Sequence, residues 1–144
     1  WTSPKEASEI YMQASKSCDI LIGNDDEFGI LSNNYEEGLQ TAHNLSKEVS
    51  IVIYKKGERG SITFIENKEI TKGIYPVKAL KPTGAGDAFM GAFIGSLLNN
   101  KGVEESLDYG SASAAIVVTK VGCAPAMPLF NEIDDFLKIN KMNN

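Results

Sequence analysis

A glycine-rich loop that leads directly into an apolar helix constrains the possible fold of this chain more than any other feature. The loop covers residues 81–87, with the sequence Lys-Pro-Thr-Gly-Ala-Gly-Asp, and strongly apolar residues continue to Leu98. Gly84 and Gly86 permit backbone angles and close approaches that a Cβ would obstruct, so that successive N–H groups can turn toward one anion. The helix that begins near Asp87 adds the positive end of its dipole. The pattern therefore favours a phosphate cradle.

Asp87 stands at the start of the predicted helix, where its charge would repel a phosphate. A role that suits it is to accept a proton from a hydroxyl group that is about to be phosphorylated, while the N–H groups of Gly84, Ala85 and Gly86 stabilise the moving charge. The alternative is a simple Asp N-cap after a glycine turn. The predicted helix over 88–98 favours the catalytic interpretation, because a helix that is apolar on nearly every side is predicted to be buried. Its N-terminus would then open into a cleft.

Composition narrows the classes of protein that the chain can represent. Its 144 residues include 14 basic and 19 acidic side chains, for a net charge of −5. Basic residues form no stripe along the sequence, which excludes nucleic acid as an expected partner. The sequence has no apolar run of transmembrane length, no signal-peptide pattern and no disulfide framework, so we expect no membrane partner and a cytoplasmic location.

Strand and helix patterns alternate along the chain. Helices are predicted at 3–16, 24–31, 36–46, 87–98, 103–120 and 129–139, and strands at 18–22, 49–54, 61–65 and 69–71. Leu39, Ala42 and Leu45 are predicted to share the buried side of the third helix, and His43 to lie in solvent. This order indicates an α/β fold with a mostly parallel central sheet and helices on both faces.

The Gly84-Ala85-Gly86-Asp87 loop resembles the signature of the ribokinase-like (PfkB-type) carbohydrate kinases. Segments 24–27, 55–60 and 112–128 resemble further motifs of that family, in the same order. Residues 1–28 and the Val-Gly-Cys-Ala-Pro-Ala-Met-Pro stretch are most similar to the branch that phosphorylates 5-dehydro-2-deoxygluconate. The resemblance implies a ribokinase-like fold, ATP and Mg²⁺ as cofactors, and a small sugar or sugar acid as substrate.

The chain begins at Trp1 rather than at methionine. We therefore expect residues 1–144 to be the C-terminal, ATP-binding half of a longer kinase, whose N-terminal half would supply the lid and most sugar contacts. The acceptor stays open among 5-dehydro-2-deoxygluconate, fructose and 2-keto-3-deoxygluconate. A nucleotide-binding fragment without kinase activity is the alternative function, and a purely structural or regulatory α/β domain is a third. A homodimer formed through a bare sheet edge is a further expectation.

Asn24 and Glu27 follow the first strand, at the edge of a parallel sheet where ligands bind. Their spacing also fits a capping box, and the residues alone leave both interpretations open. The resemblance favours a role for Asn24 at the nucleotide and for Glu27 as the residue that holds water on magnesium.

Three further cofactor contacts are implied by the loop at 55–60. Gly57 and Gly60 would bring the backbone close to the ATP phosphates, with Lys55 at a position that often holds threonine in the family. The alternative is an ordinary loop with solvated lysines.

The helix after residue 111 and the turn at Gly122 resemble the wall of the adenine pocket, with Ser111 and Ser113 as polar contacts. Plain helix packing is the alternative, and Cys123 is predicted to be a small packing residue.

Lys81 departs from the family, which commonly has an aspartate there that helps to bind a monovalent cation. A lysine would repel or replace that ion, so potassium activation is in doubt.

Overall fold

The computed structural model describes residues 3–143, which divide into two compact units between Thr71 and Lys72. The N-terminal unit contains α1 (Pro4–Ser15), β1 (Ile20–Asn24), α2 (Asp25–Ser32), α3 (Gly38–Leu45), β2 (Ile51–Lys55), β3 (Ser61–Ile65) and all but the last residue of β4 (Lys68–Lys72). The C-terminal unit contains α4 (Ala85–Leu98), α5 (Val103–Val118) and α6 (Phe130–Ile139). Within the described residues, no helix has the length and apolar character needed to cross a membrane.

The four strands form one sheet in the order β1-β2-β3-β4. β1 pairs with β2 in parallel, whereas β2 pairs with β3 in antiparallel fashion. The α/β class is confirmed, but the prediction of a mostly parallel sheet is wrong for this part of the chain. The physical reason is connection length, because the five residues 56–60 between β2 and β3 are too few for a parallel crossover. Glu66 and Asn67, both with positive φ, make the tight turn into β4.

The two faces of the sheet differ in composition. The core face, formed by Leu21, Val52, Tyr54, Ile62 and Phe64, packs against buried side chains of α2 and α3. Opposite it lies the far face, which carries Asn24, Ile53, Lys55, Ser61 and Thr63 because side chains alternate along a strand.

The predicted inward side of α3 is correct in part. Ala42 and Leu45 are buried, and His43 is exposed, with its ring 5.3 Å from that of Phe64. Leu39 is 41% exposed, since it lies in the first turn of α3, beyond the cluster that covers the core face.

The C-terminal unit is built on α5, against which both α4 and α6 pack. Its core gathers aromatic and small side chains: Tyr75, Ala92, Tyr109, Ala112, Ala115, Ile116 and Ile133. The prediction that α4 is buried all round is wrong. Ala88 and Phe93 are buried, whereas Met90 and Leu98 are 46% and 79% exposed, because the packed side of a helix covers only part of its circumference.

Candidate functional site

The loop before α4 is a tight turn. The carbonyl of Pro82 accepts a hydrogen bond from the N–H of Ala85 at 3.2 Å, and Gly84 has φ 91° and ψ −8°. These angles belong to the third residue of a type II turn, a position that strongly favours glycine. The turn delivers the chain directly into α4, so the glycine at 84 determines where that helix begins.

The first N–H groups of α4 are largely free of internal partners. No acceptor among residues 3–143 takes the N–H of Gly84, Gly86 or Asp87, whereas Ala88 donates to Gly84 at 2.9 Å. The predicted contribution of Ala85 needs correction, because its N–H closes the turn. The available donors at this helix end are therefore the N–H groups of Gly84, Gly86 and Asp87.

Asp87 lies in the first turn of α4, with Gly84 at the N-cap position. The Asp N-cap alternative is therefore wrong. The Asp87 side chain is exposed, and within the described residues it makes no ion pair or hydrogen bond. A free carboxylate beside unpartnered amides can accept a proton while the amides face an anion.

The turn around Gly122 lies beside this loop. Gly122 has φ 96°, and the Cys123 sulfur lies 3.2 Å from the Lys81 Nζ. A Cβ added at Gly84 would lie 3.5 Å from the Cys123 Cβ. The C-terminal unit therefore brings the Gly122 turn, Lys81 and the glycine loop together.

The two serines predicted as adenine contacts lie on α5 in different environments. Ser111 is half-buried, whereas Ser113 is only 3% exposed. Ser113 thus occupies a packed position of the helix, and a nucleotide contact for either serine stays a prediction.

Asn24 and Glu27 form a complete capping box at the start of α2. The Asn24 N–H donates to Glu27 Oε2 at 2.7 Å, and the Glu27 N–H donates to Asn24 Oδ1 at 2.8 Å. This geometry confirms the capping interpretation and leaves the second carboxylate oxygen of Glu27 available. In the described part of the chain, no group of three or more His, Cys, Asp or Glu side chains could hold a metal ion. A single carboxylate fits Mg²⁺ that keeps several waters and is bound mainly through substrate phosphates.

The turn between β2 and β3 contains the other predicted contacts of the N-terminal unit. Gly57 and Gly60 have φ values of 58° and 79°, and the Lys56 N–H donates to the Gly60 carbonyl at 2.7 Å. Lys55 ends β2 immediately before this turn and is half-buried.

Two residues near this turn were not predicted from the sequence. Arg59 pairs with Asp25, the first residue of α2, and Ser61 begins β3 as a buried side chain. The alternation of β3 could have placed Ser61 on the face opposite Phe64. No local signal could have indicated the Arg59–Asp25 pair, whose members are 34 residues apart.

Comparison with solved structures places the chain in a structural class. A ribokinase from Arabidopsis thaliana, complexed with ribose and ATP, superposes with a TM-score of 0.79 at 32% identity, covering 89% of this chain and 43% of that one. A candidate ribokinase II from Escherichia coli, complexed with ATP and Mg²⁺, superposes with a TM-score of 0.79 at 28% identity, covering 90% and 42%. The fold is therefore ribokinase-like.

Sequence comparison gives the family. Residues 1–129 match the pfkB family of carbohydrate kinases, and the chain belongs to that family. A 5-dehydro-2-deoxygluconokinase from Halalkalibacterium halodurans is 37% identical over 142 residues, which cover 96% of this chain and 43% of the relative. The chain thus spans less than half the length of this curated relative.

Proposed function

We propose that the protein containing this chain transfers the γ-phosphoryl group of ATP to a hydroxyl group of a sugar or sugar acid. The observation that carries the proposal is the exposed Asp87 carboxylate beside the unpartnered N–H groups of Gly84 and Gly86. Membership of the pfkB family supports sugar phosphorylation, and the relative from Halalkalibacterium halodurans makes 5-dehydro-2-deoxygluconate the first acceptor to test.

In the proposed reaction, Asp87 orients the acceptor hydroxyl and takes its proton. The bond from the γ-phosphorus to the acceptor oxygen forms as the bond to the leaving ADP breaks, and the proton passes to the Asp87 carboxylate late in a loose transition state. The N–H groups of Gly84 and Gly86 face the transferring charge. Each such donor commonly contributes roughly 3 kcal/mol to stabilising a transition state.

Further proposed contacts to the nucleotide and its metal come from Glu27, Asn24 and the turn at Gly57 and Gly60. Glu27 would act through water on Mg²⁺, which neutralises charge on the β and γ oxygens when bound. Asn24 would contact the nucleotide, and the backbone at Gly57 and Gly60 would approach its phosphates, with Lys55 pairing with a phosphate oxygen. The chemistry of this donor set, one carboxylate and one ammonium beside a glycine turn, suits Mg-ATP.

The proposed adenine contacts are Ser111, Ser113 and the turn at Gly122. Lys81 would replace a monovalent cation, since its ammonium lies at the start of the glycine loop. Activity independent of added potassium is therefore expected.

Replacement of Asp87 by Asn tests the reaction in a full-length protein that contains this chain. We expect turnover to fall about 10²- to 10⁴-fold, with ATP affinity nearly unchanged. Asp26→Asn, which alters an exposed acid in the first turn of α2, is the matched control. Unchanged turnover in the Asp87→Asn protein would remove Asp87 from the role.

A nucleotide-binding fragment without transfer is the second candidate, because the chain covers 43% of its kinase relative. Calorimetry of the 144-residue chain with Mg-ATP, beside a phosphorylation assay, separates the two functions. The assay uses 5-dehydro-2-deoxygluconate, fructose and 2-keto-3-deoxygluconate as acceptors. Binding without phosphorylation of any of them would favour the fragment.

A further inference from the structure

The Cys123 side chain borders the glycine loop at two points. Its Sγ lies 3.2 Å from the Lys81 Nζ and 3.9 Å from the Thr83 carbonyl oxygen. A Cβ added at Gly84 would lie 3.5 Å from the Cys123 Cβ and 3.6 Å from its Sγ. One side chain therefore contacts the residue that opens the loop and also lies against the turn that determines where α4 begins.

The segment that carries Cys123 is packed against the first turn of α4. The Cys123 carbonyl accepts the Ala126 N–H at 3.0 Å. Ala126 is buried in one cluster with Ala88 of α4 and Val117 of α5. Close-packed side chains of this kind leave little room for movement. The backbone of Cys123 is therefore held in place independently of its contact with Lys81.

The half-buried Lys81 ammonium donates to the Cys123 sulfur, and among residues 3–143 it pairs with no carboxylate. Its backbone N–H donates to the Val118 carbonyl at 3.3 Å, so both ends of the residue are held. Sulfur is only a weak hydrogen-bond acceptor. A carboxylate in its place would compensate the positive charge, whereas a weak acceptor orients the ammonium and leaves its charge for an anion.

We propose that Cys123 is a positioning residue for phosphoryl transfer and that it acts through Lys81. The sulfur holds the ammonium at the start of the glycine loop, so that a positive charge accompanies the unpartnered N–H groups of Gly84 and Gly86. The proposal rests on the proposed function, because the negative charge that this end of α4 would stabilise is that of the transferring group. Cys123 needs no contact of its own with the nucleotide or the acceptor.

Cys123→Ala in the full-length protein tests the proposal, because alanine keeps the Cβ that borders Gly84 and removes the sulfur. We expect kcat to fall about threefold to tenfold and the KM for ATP to change less than about twofold, since the charge acts mainly on the transition state. Cys123→Ser keeps an acceptor for Lys81 and should recover most of kcat. A wild-type kcat in Cys123→Ala, or a serine variant as slow as the alanine variant, would overturn the proposal.

Lys81→Met separates action through the lysine from a packing effect of Cys123. This variant should lower kcat about tenfold, because it removes the charge itself. Cys123→Ala should then cause no further loss in the Lys81→Met background, since side chains that act as one unit are not additive. If Cys123→Ala lowers kcat by the same factor in both backgrounds, Cys123 acts without Lys81 and the proposal is overturned.

Cys18→Ala is the matched control. Cys18 is the other cysteine of the chain, and its Sγ also contacts a backbone carbonyl, that of Ala14 at 3.4 Å. It is exposed and lies between α1 and β1, in the N-terminal unit. We expect Cys18→Ala to leave kcat unchanged. An equal loss of kcat in Cys18→Ala and Cys123→Ala would overturn the proposal, because the effect would then not depend on the glycine loop.

NMR spectra of the 144-residue chain with isotopically labelled glycine distinguish failure of this proposal from failure of the proposed function. Cys123→Ala and Lys81→Met should each shift the amide signals of Gly84 and Gly86, which Cys18→Ala should leave in place. If these shifts occur but the full-length protein phosphorylates no sugar, the kinase proposal fails and the positioning of the loop by Cys123 stands. If the glycine signals do not move, the positioning role is overturned whatever the activity.

Discussion

Arg59 and Asp25 form an ion pair with 2.9 Å between Nη2 and Oδ2. Arg59 belongs to the turn between β2 and β3, and Asp25 is the first residue of α2. The pair therefore ties the Gly57–Gly60 turn to the helix that carries Glu27. The Asp25 carboxylate also acts on Tyr54, because it helps to raise the pKa of the Tyr54 hydroxyl. Two segments that we propose to contact the nucleotide are thus held by one carboxylate.

Loss of this pair should affect nucleotide binding more than folding. The Arg59 and Asp25 side chains are 72% and 47% exposed, and exposed pairs of this kind contribute about 0–1 kcal/mol to stability. We expect both Arg59→Ala and Asp25→Asn to raise the KM for ATP several-fold, with a small change in kcat and in the urea midpoint. Asp25→Asn leaves the positive charge of Arg59 in place, so a change in its KM for ATP can be attributed to loss of the ion pair.

Lys138→Ala provides the control for this pair, because Lys138 also forms an exposed ion pair, with Asp135 at 2.8 Å on α6. It should leave the KM for ATP unchanged. An Asp25→Asn protein with a wild-type KM for ATP would show that the Arg59–Asp25 ion pair does not position the Gly57–Gly60 turn.

Glu27→Gln separates capping from metal binding. Glutamine retains an oxygen that can accept the Asn24 N–H, so the free energy of unfolding should fall by less than about 1 kcal/mol. A neutral amide attracts Mg²⁺ and its bound water more weakly than a carboxylate does. The Mg²⁺ concentration for half-maximal activity should therefore rise about tenfold or more. A Mg²⁺ titration of activity and a urea unfolding curve measure the two effects.

The matched control is Glu132→Gln, because Glu132 Oε2 accepts the Leu129 N–H at 2.8 Å in the same capping role on α6. The Leu129 N–H and the Lys120 ammonium hold the pKa of Glu132 below its usual range, so this variant should lose some stability above the carboxyl's unfolded pKa. Its Mg²⁺ requirement should not change. Identical Mg²⁺ curves for the two variants would leave Glu27 with the capping role alone.

Gly84→Ala and Gly91→Ala should change stability in opposite directions. Gly84 has φ 91°, which strains any residue with a Cβ, so alanine should cost about 1–2 kcal/mol and lower kcat by shifting the turn. Gly91 lies inside α4 with open space at its Cβ position, and alanine there should stabilise the helix by about 0.5–1 kcal/mol. Thermal unfolding measures both, and a stabilised Gly84→Ala protein would contradict the type II turn.

Alkaline pH should destabilise the protein through Tyr54. Burial first, and then the hydrogen bond and charge of Asp25, raise the pKa of Tyr54 to about 12. Since its unfolded pKa is about 10, the folded state retains the proton more tightly, and the associated stability is complete below pH 10 and is lost as pH rises toward 12. The loss should approach about 2 kcal/mol.

Tyr54→Phe removes this titration. The variant should lose less stability than wild type between pH 10 and 12. Urea unfolding at a series of pH values measures the difference. Burial also raises the pKa of Tyr75 to about 12, so Tyr75 should contribute a similar decline that persists in the Tyr54→Phe protein.

Local patterns along the chain predicted most element positions. Each of the predicted helices and strands has a counterpart within a few residues, because helix caps, period-3.6 and period-2 apolar spacing act over short distances. The glycine turn at Gly84 could be predicted for the same reason, because a left-handed backbone conformation strongly favours glycine. The resemblance of four segments to the pfkB family was also present in the sequence alone, and the family comparison agrees with it.

Tertiary structure decided the features that depend on distant residues. The register that aligns Lys55 with Ser61, the pairing of Arg59 with Asp25 and the contact of Lys81 with Cys123 all join segments whose relative placement no local rule determines. The direction of β3, the engagement of the Ala85 N–H and the exposure of Leu98 belong to the same class. Short-range backbone preferences determine where elements begin and end, whereas packing of the whole chain determines which side chains share a surface and which polar groups remain without partners.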